Sequence, residues 1–341
     1  MIDLSSDTAT KPTPAMRSVM AEAEVGDEQR REDPTVNRLL QMVCELLHKE
    51  AALFLPSGTM CNGIAVKVHT QPGEAILVDR HAHILRSESG GAAFLSGVIV
   101  DQLPSTRGLF TAEDVIHSIQ PESVYTAPHR LLCVEQTHNF GGGSVWPLEQ
   151  LRDVCSSARS HGLAIHMDGA RLFNAVVASG VAPHRYAKLC ESVWIDFTKG
   201  LGAPLGAVLA GSASFIEKAR RYKHLFGGAL RQAGIVAAGC IYALKNHVER
   251  LKEDHEHARI LGEGLDRIPG VLVERPIETN MVFFRLKDTS IDEAHFLSAI
   301  QTNGIRMGMS GKRIRAVTHL DIRREDVNQA IEVCRRALEE T

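Results

Sequence analysis

The chain has 341 residues, with 38 Lys and Arg against 41 Asp and Glu for a formal charge of −3, and at 44% hydrophobic and 23% charged it has the make-up of a folded globular protein of about two domains. The near-neutral balance excludes the electrostatic footprint of a nucleic-acid binder, and the longest uncharged stretch, Gly200 to Ile216, is glycine-broken and shorter than the roughly 20 apolar residues of a membrane span. The opening MIDLSSDTATKPTP has no apolar signal core, and seven scattered cysteines without a C-x-x-C read as reduced thiols of a cytoplasmic protein rather than a disulfide framework.

Seven short apolar runs predict strands: Ala51–Leu55, Ala75–Asp79, Gly97–Leu103, Leu131–Glu135, Leu163–Asp168, Ser192–Phe197 and Gly206–Ala210. Their continuity fits strands covered on both faces, as in a largely parallel sheet. Helical periodicity fills most of the gaps, over Thr35–Lys49, Gly58–His69, Thr111–Gln120 and Pro147–His161. Pro147 suits the first turn of the last of these and Gly162 its stop. Alternating strands and helices imply an α/β fold, a mostly parallel sheet in a large domain assigned to residues 1–245. After Ser212 the pattern is helical through Ile235–Arg250 and on to Arg267. A β-β-α-β-α tail then uses 271–274, 281–286, 291–302, 313–319 and a last helix from about Arg324. It marks a smaller α+β domain over 246–341.

Two residues stand out chemically. Asp168 closes an apolar strand, where open α/β sheets place ligands, although an aspartate there also suits a helix cap. Lys199 sits in the Gly-rich turn after the next strand, 31 residues on, where a plain surface lysine is the ordinary alternative. Together they match the demand of pyridoxal phosphate: a lysine for a Schiff base, and a carboxylate partner for the pyridinium nitrogen. A partly desolvated turn would favour the neutral amine that such a lysine needs. Pro56-Ser57-Gly58-Thr59, between a strand and an apolar helix, offers a phosphate cradle or simply an N-cap. His83 offers a flat face for a ring or is an ordinary loop histidine. No further ligand cluster in the sequence supports a metal at His81 and His83, and His255 and His257 read as solvated.

Several long strings then give a family resemblance. DLSSDTATKPTPAM at 3–16, EDPTVN at 32–37, EAALFLPSGTMCN at 50–62, EQTHN at 135–139, HMDGARLFNA at 166–175, TKGLGAPLGAVLAG at 198–211, LRQAGI at 230–235 and VTHLD at 317–321 occur in this order. The chain closely resembles the low-specificity L-threonine aldolases, fold-type-I pyridoxal-phosphate enzymes of the aspartate-aminotransferase superfamily, from about residue 2 to 330. The resemblance implies Lys199 as the Schiff-base lysine, Asp168 as the partner of the ring nitrogen, Gly58 and Thr59 as the phosphate cradle and His83 as the stacking residue. It implies Arg231 reaching the cofactor phosphate of a neighbouring subunit, with residues 1–30 contributing to the site. Ser6, Arg171 and Arg315 would grip the substrate α-carboxylate. The implied reaction is retro-aldol cleavage of threonine, allo-threonine or a related β-hydroxy-α-amino acid to glycine and an aldehyde, with His83 or a water it holds as base. A homo-oligomer with shared sites is implied, a dimer or, in preference, a tetramer.

Three positions depart from the family pattern around the leaving aldehyde. Arg30 replaces a loop tyrosine, Ser87 replaces an aromatic before Glu88, and Tyr125 falls where many members carry a histidine near the substrate hydroxyl. Racemisation or β-elimination on the same scaffold is therefore the rival chemistry. An idle ligand-sensing module is a rival of another class, disfavoured by the intact lysine, aspartate and arginines.

Overall fold

The computed structural model describes residues 1–287 and 292–339, so position 291 of the expected helix at 291–302 lies outside the described residues. Among them are thirteen strands: β1 (Ile2–Asp3), β2 (Ala51–Leu55), β3 (Ala75–Asp79), β4 (Ile99–Leu103), β5 (His129–Glu135), β6 (Ala164–Gly169), β7 (Ser192–Asp196), β8 (Ala207–Gly211), β9 (Val271–Val273), β10 (Met281–Leu286), β11 (Ile305–Arg306), β12 (Gly308–Ser310) and β13 (Arg313–Val317). The first large sheet has the order β2-β8-β7-β6-β5-β3-β4. Pairing is parallel except at β8, which runs antiparallel to both of its neighbours.

The apolar runs predicted this sheet because its inner strands are buried along nearly their whole length, every residue of β3, β7 and β8 included, while the edge strand β4 buries only Leu103. Helices cover both faces. The helix Gly58–His69 starts where Ser57 accepts a hydrogen bond from the Met60 N–H, and the helix Pro34–Leu47 starts on Asp33 with proline in its first turn. The helix Leu148–Ser160 follows Pro147 and stops before Gly162, whose φ of 81° suits glycine.

A second sheet, β12-β13-β10-β9, is wholly antiparallel. It shares a separate core with the helices Leu251–Asp266, Glu293–Thr302 and Arg324–Glu339. The strands β11 and β12 go beyond the expected tail; at two and three residues they are too short for any periodicity. The N-terminus also belongs here. β1 pairs in parallel with β11, Leu4 is buried in the second core, and the Val317 N–H donates to the Leu4 carbonyl. The next few residues cross to the first sheet, where the Gly200 N–H donates to the Asp7 carbonyl and Thr10 Oγ1 to the Thr198 carbonyl. All seven cysteines are free thiols, six of them buried. Among the described residues no helix is long and apolar enough to cross a membrane.

His255 departs from the solvated reading. It is half-buried against Asn174 at 3.2 Å, and burial pulls it down to about 4.

The helix Leu251–Asp266 also buries Asp254. Burial pushes this carboxyl up to about 7 despite the Arg250 guanidinium 2.8 Å away, and its Oδ2 has no hydrogen-bond partner. A carboxyl that resists ionising when folded makes the native state bind more protons, so its contribution falls as pH rises from the ordinary 3.8 to about 7. Asp254→Asn should flatten that fall. It should leave stability near pH 4 little changed and raise it at pH 8, by on the order of 4 kcal/mol at most. Urea unfolding at several pH values measures both limbs.

Candidate active site

Four adjacent strands of the first sheet carry an acid at their C-terminal ends: Asp196 on β7, Asp168 on β6, Glu135 on β5 and Asp79 on β3. All four are buried. A row of buried carboxylates is costly unless each finds a cation or donors, and the loops beyond the strands supply them. His138 pairs with Asp79 at 2.9 Å. Glu135 accepts from the backbone N–H groups of His83 and Asn139, each at 2.8 Å. Lys199 Nζ donates to Asp196 at 2.7 Å.

Above this edge lies a cavity of about 330 Å³. Its walls include Gly58, Thr59, His83, Asp168, Arg171 and Lys199, together with Ser87, Glu88, Asn139, Trp194 and Asp196. Asp168 and Lys199 therefore meet across one space, because β6 and β7 are register neighbours with Asp168 opposite Trp194. Lys199 Nζ also stands 5.5 Å over the Trp194 ring. Gly58 is dictated by that ring, since a Cβ there would lie 2.1 Å from its edge.

Lys199 departs from the neutral amine expected of it. Burial pulls its ammonium down, but the Asp196 carboxylate outweighs burial and leaves it above the ordinary value. Asp168 is raised as well: burial, then the charge of Glu135, pushes it up to about 6. His83 is raised chiefly by its 2.8 Å hydrogen bond to Glu88.

Not every expected residue reaches the cavity. Arg171 lines it, but its Nε and Nη2 are both held by Asp7 at 2.7 Å, so most of the fork expected to grip a carboxylate is already engaged. Arg315 lies outside the walls, bonded to Asn139 and to the Ser5 carbonyl, with its buried Nε unpartnered. Ser6 is outside as well; its Oγ accepts from Thr8 and caps a short turn. Arg30 and Arg231, with side chains 73% and 62% exposed, flank Asp27 at the surface.

Tyr125 is a correction. It is 94% exposed, in the connection that enters β5, and so stands at the N-terminal edge of the parallel strands. The cavity is at the opposite edge, and within one chain the ring cannot reach it.

The comparisons with known proteins agree with the residue pattern. The family model for beta-eliminating lyases matches residues 3–289. Low-specificity L-threonine aldolase 1 of Arabidopsis thaliana is 39% identical over 99% of this chain and 96% of its own. The low specificity L-threonine aldolase of Escherichia coli K12 is 41% identical over 96% of each chain. The chain belongs to the low-specificity L-threonine aldolase family. A Leishmania major threonine aldolase structure shares the family's fold, with a TM-score of 0.85 at 21% identity over 98% of this chain and 99% of that one. A Sphingomonas wittichii serine palmitoyltransferase matches at a TM-score of 0.79 with 14% identity, covering 99% of this chain and 87% of that one, a likeness of fold.

Within this family member one side chain missed by sequence reading organises the pocket. Asn62, on the helix Gly58–His69, is fully buried. Its Nδ2 donates to both Asp168 Oδ2 and Glu88 Oε1 at 2.8 Å, while its Oδ1 accepts from Trp194 Nε1 at 2.7 Å and His166 Nε2 at 3.0 Å. His166 continues through Ser192 to His69. Burial pulls both histidines down, to about 3 and about 4, so the chain is built on neutral rings. The network also accounts for a cluster unforeseen from the sequence, ligand atoms of His83, Glu88 and Asp168 within 4.8 Å of one another. Asn62 holds one oxygen of Asp168 and, with His83, the same oxygen of Glu88, so hydrogen bonds bring these three groups together. Asn62 lay in a quoted string, but its four partners come from three other segments: β6, β7 and the turn that carries Glu88.

Asn62→Ala would strip a partner from two carboxylates, an imidazole and an indole at once. Each orphaned buried group costs about 1–3 kcal/mol, so the variant should lose at least ~3 kcal/mol of unfolding free energy. Denaturant titration measures the loss.

Proposed function

We propose that the protein is a pyridoxal-phosphate-dependent aldolase that cleaves L-threonine, L-allo-threonine or a related β-hydroxy-α-amino acid to glycine and an aldehyde. The observation that carries this reading is the meeting of Lys199 and Asp168 across one cavity that opens on the start of the helix Gly58–His69. Family membership supports the same reaction class.

The residues fit the cofactor. The first N–H groups of that helix, at Gly58 and Thr59, border the cavity and suit a phosphate. Gly58 keeps the approach open, because any larger residue would collide with Trp194. When bound, pyridoxal phosphate supplies an electron-accepting ring for the pair released as a bond at the substrate Cα breaks. Asp168, raised to about 6 by burial, would ionise opposite a cationic ring nitrogen and would be the residue that holds the proton there. His83, on the cavity wall, would stack on the ring. Its Nδ1 is committed to Glu88, which leaves Nε2 to take the β-hydroxyl proton, directly or through water. Lys199 holds the cofactor and shuttles a proton, with Asp196 at 2.7 Å as the receiver when the ammonium turns nucleophile.

Arg171, which lines the cavity with its Nη1 unclaimed by Asp7, and Arg315, next to it outside the walls, are the candidates for the substrate α-carboxylate. Ser6 then shapes the site around them. Ser87, a small wall residue in place of an aromatic, leaves room on the β-side for a larger substituent.

The active assembly is a cytoplasmic homo-oligomer, in preference a tetramer. The exposure of Arg231 and Arg30 supports their serving a neighbour's cavity rather than their own.

Lys199→Ala should abolish the visible absorbance of the purified protein and lower threonine cleavage by ~10³-fold or more. Mass analysis of the parent's products should give glycine and acetaldehyde; a racemised amino acid or a keto acid would instead assign the rival chemistry. Mixing Lys199→Ala with Arg231→Ala under subunit exchange should restore part of the activity, because one class of cavity regains both residues. Two inactive parents that stay inactive when mixed would refute the shared site.

A further inference from the structure

A second and larger cavity, of about 730 Å³, lies beside the first, between the turns that follow β3 and β4 and the β12–β13 hairpin. Six cations line it, Arg80, Arg86, Arg107, Arg285, Lys312 and Arg313, against Glu274 alone among the lining residues. A chain whose formal charge is −3 has thus gathered strong positive charge in one groove. Half of this set is paired with carboxylates, two of the arginines sharing one of them. Glu274 pairs with Arg285 at 3.0 Å and Arg313 at 3.1 Å, and Glu278 pairs with Arg107 at 2.7 Å.

The other half is not. Arg80 and Arg86 donate only to backbone carbonyls, and among the described residues Lys312 has no partner. Burial, with Arg80 and Arg86 next to it, outweighs Asp79 and holds His81 on the wall below its ordinary value. These three uncompensated cations, two from the turn after β3 and one from the β12–β13 hairpin, converge on one concave space of the size that takes a small ligand, roughly 300–1,000 Å³.

We propose that this groove is a binding site for a small phosphoanhydride-bearing molecule, held by Arg80, Arg86 and Lys312. The charge of a diphosphate matches three free cations, and guanidinium forks meet phosphate oxygens in pairs. Ser105 and Ser310 add hydroxyls to the wall, and the Phe140 ring offers a surface for a flat group. The groove is a concavity of ligand size and the chain as a whole carries a net charge of −3, which suits a small molecule rather than a nucleic-acid strand. It is distinct from the aldolase cavity but shares a wall with it. Arg313 donates to the Phe140 carbonyl on one side, and Arg315 to the Asn139 side chain on the other.

The test is calorimetric titration of the cofactor-loaded protein with inorganic pyrophosphate and, separately, with ATP. Loading keeps the first cavity's phosphate cradle out of the measurement. Both probes should bind once per chain, and the triple variant Arg80→Ala/Arg86→Ala/Lys312→Ala should weaken each by at least tenfold, with the visible spectrum and threonine turnover unchanged. Equal affinities would assign recognition to the phosphates alone; tighter ATP would add the Phe140 face. Absence of binding to the parent, or binding unchanged in the triple variant, would overturn the proposal. Because the readout is heat of binding, that failure is separate from failure of the aldolase reading, which the spectrum and the products report.

Discussion

The ion pair between Asp7 and Arg171 holds the structure's three parts in one arrangement. Asp7 comes from the N-terminal segment and Arg171 from the end of β6. Asn280, just before β10, donates to the same carboxylate at 3.2 Å. Both charges are out of water. Burial alone would raise Asp7, yet Arg171, Lys199 and Asn280 together hold it well below the carboxylate range. A buried pair adds little net stability over a well-packed apolar pair, but losing one partner costs about 3–5 kcal/mol. Its value here is therefore in specification. The second sheet docks, and the cavity closes, only in the arrangement that satisfies this carboxylate.

The acidic edge of the first sheet obeys the same constraint. Asp196, Asp168, Glu135 and Asp79 could not remain buried side by side without Lys199, Asn62, the backbone donors at 83 and 139, and His138. Three of the four border the cavity. The sheet thus concentrates negative potential at the place where a cationic ring nitrogen would sit. Asn62 keeps Asp168 fixed without adding charge, so the carboxylate is positioned and yet raised, ready to respond to a cation.

Much of this was legible in the sequence. The sheet was, because its strands are buried on both faces and their apolar runs are bounded by glycine and proline. Asp168 and Lys199 were, because a strand end and a Gly-rich turn are local features. What stayed hidden depends on distant partners. β1 and β11 have no pattern of their own and exist through pairing across some three hundred residues. Asp7 stood in a quoted string, but nothing near it reveals that it would claim the guanidinium of Arg171. The Lys199 ammonium was misjudged because desolvation was weighed without Asp196, three residues away. Tyr125 matches the family pattern by position along the chain, but a connection entering a parallel strand lies at the edge opposite the ligands.

The path of the N-terminal segment bears on how the gene is expressed. The next methionine after the first is Met16, inside the first long helix and fully buried. A chain initiated there would retain every strand of the larger sheet, along with Lys199 and Asp168. It would lack β1, Leu4 and Asp7, leaving Arg171 a buried cation facing Lys199 with its counter-charge gone. Such a product could be expressed and even partly folded while having no competent pocket. Met1 itself is 70% exposed, so an affinity tag fused ahead of it has room, whereas a start site chosen only fifteen codons downstream does not encode the same machine.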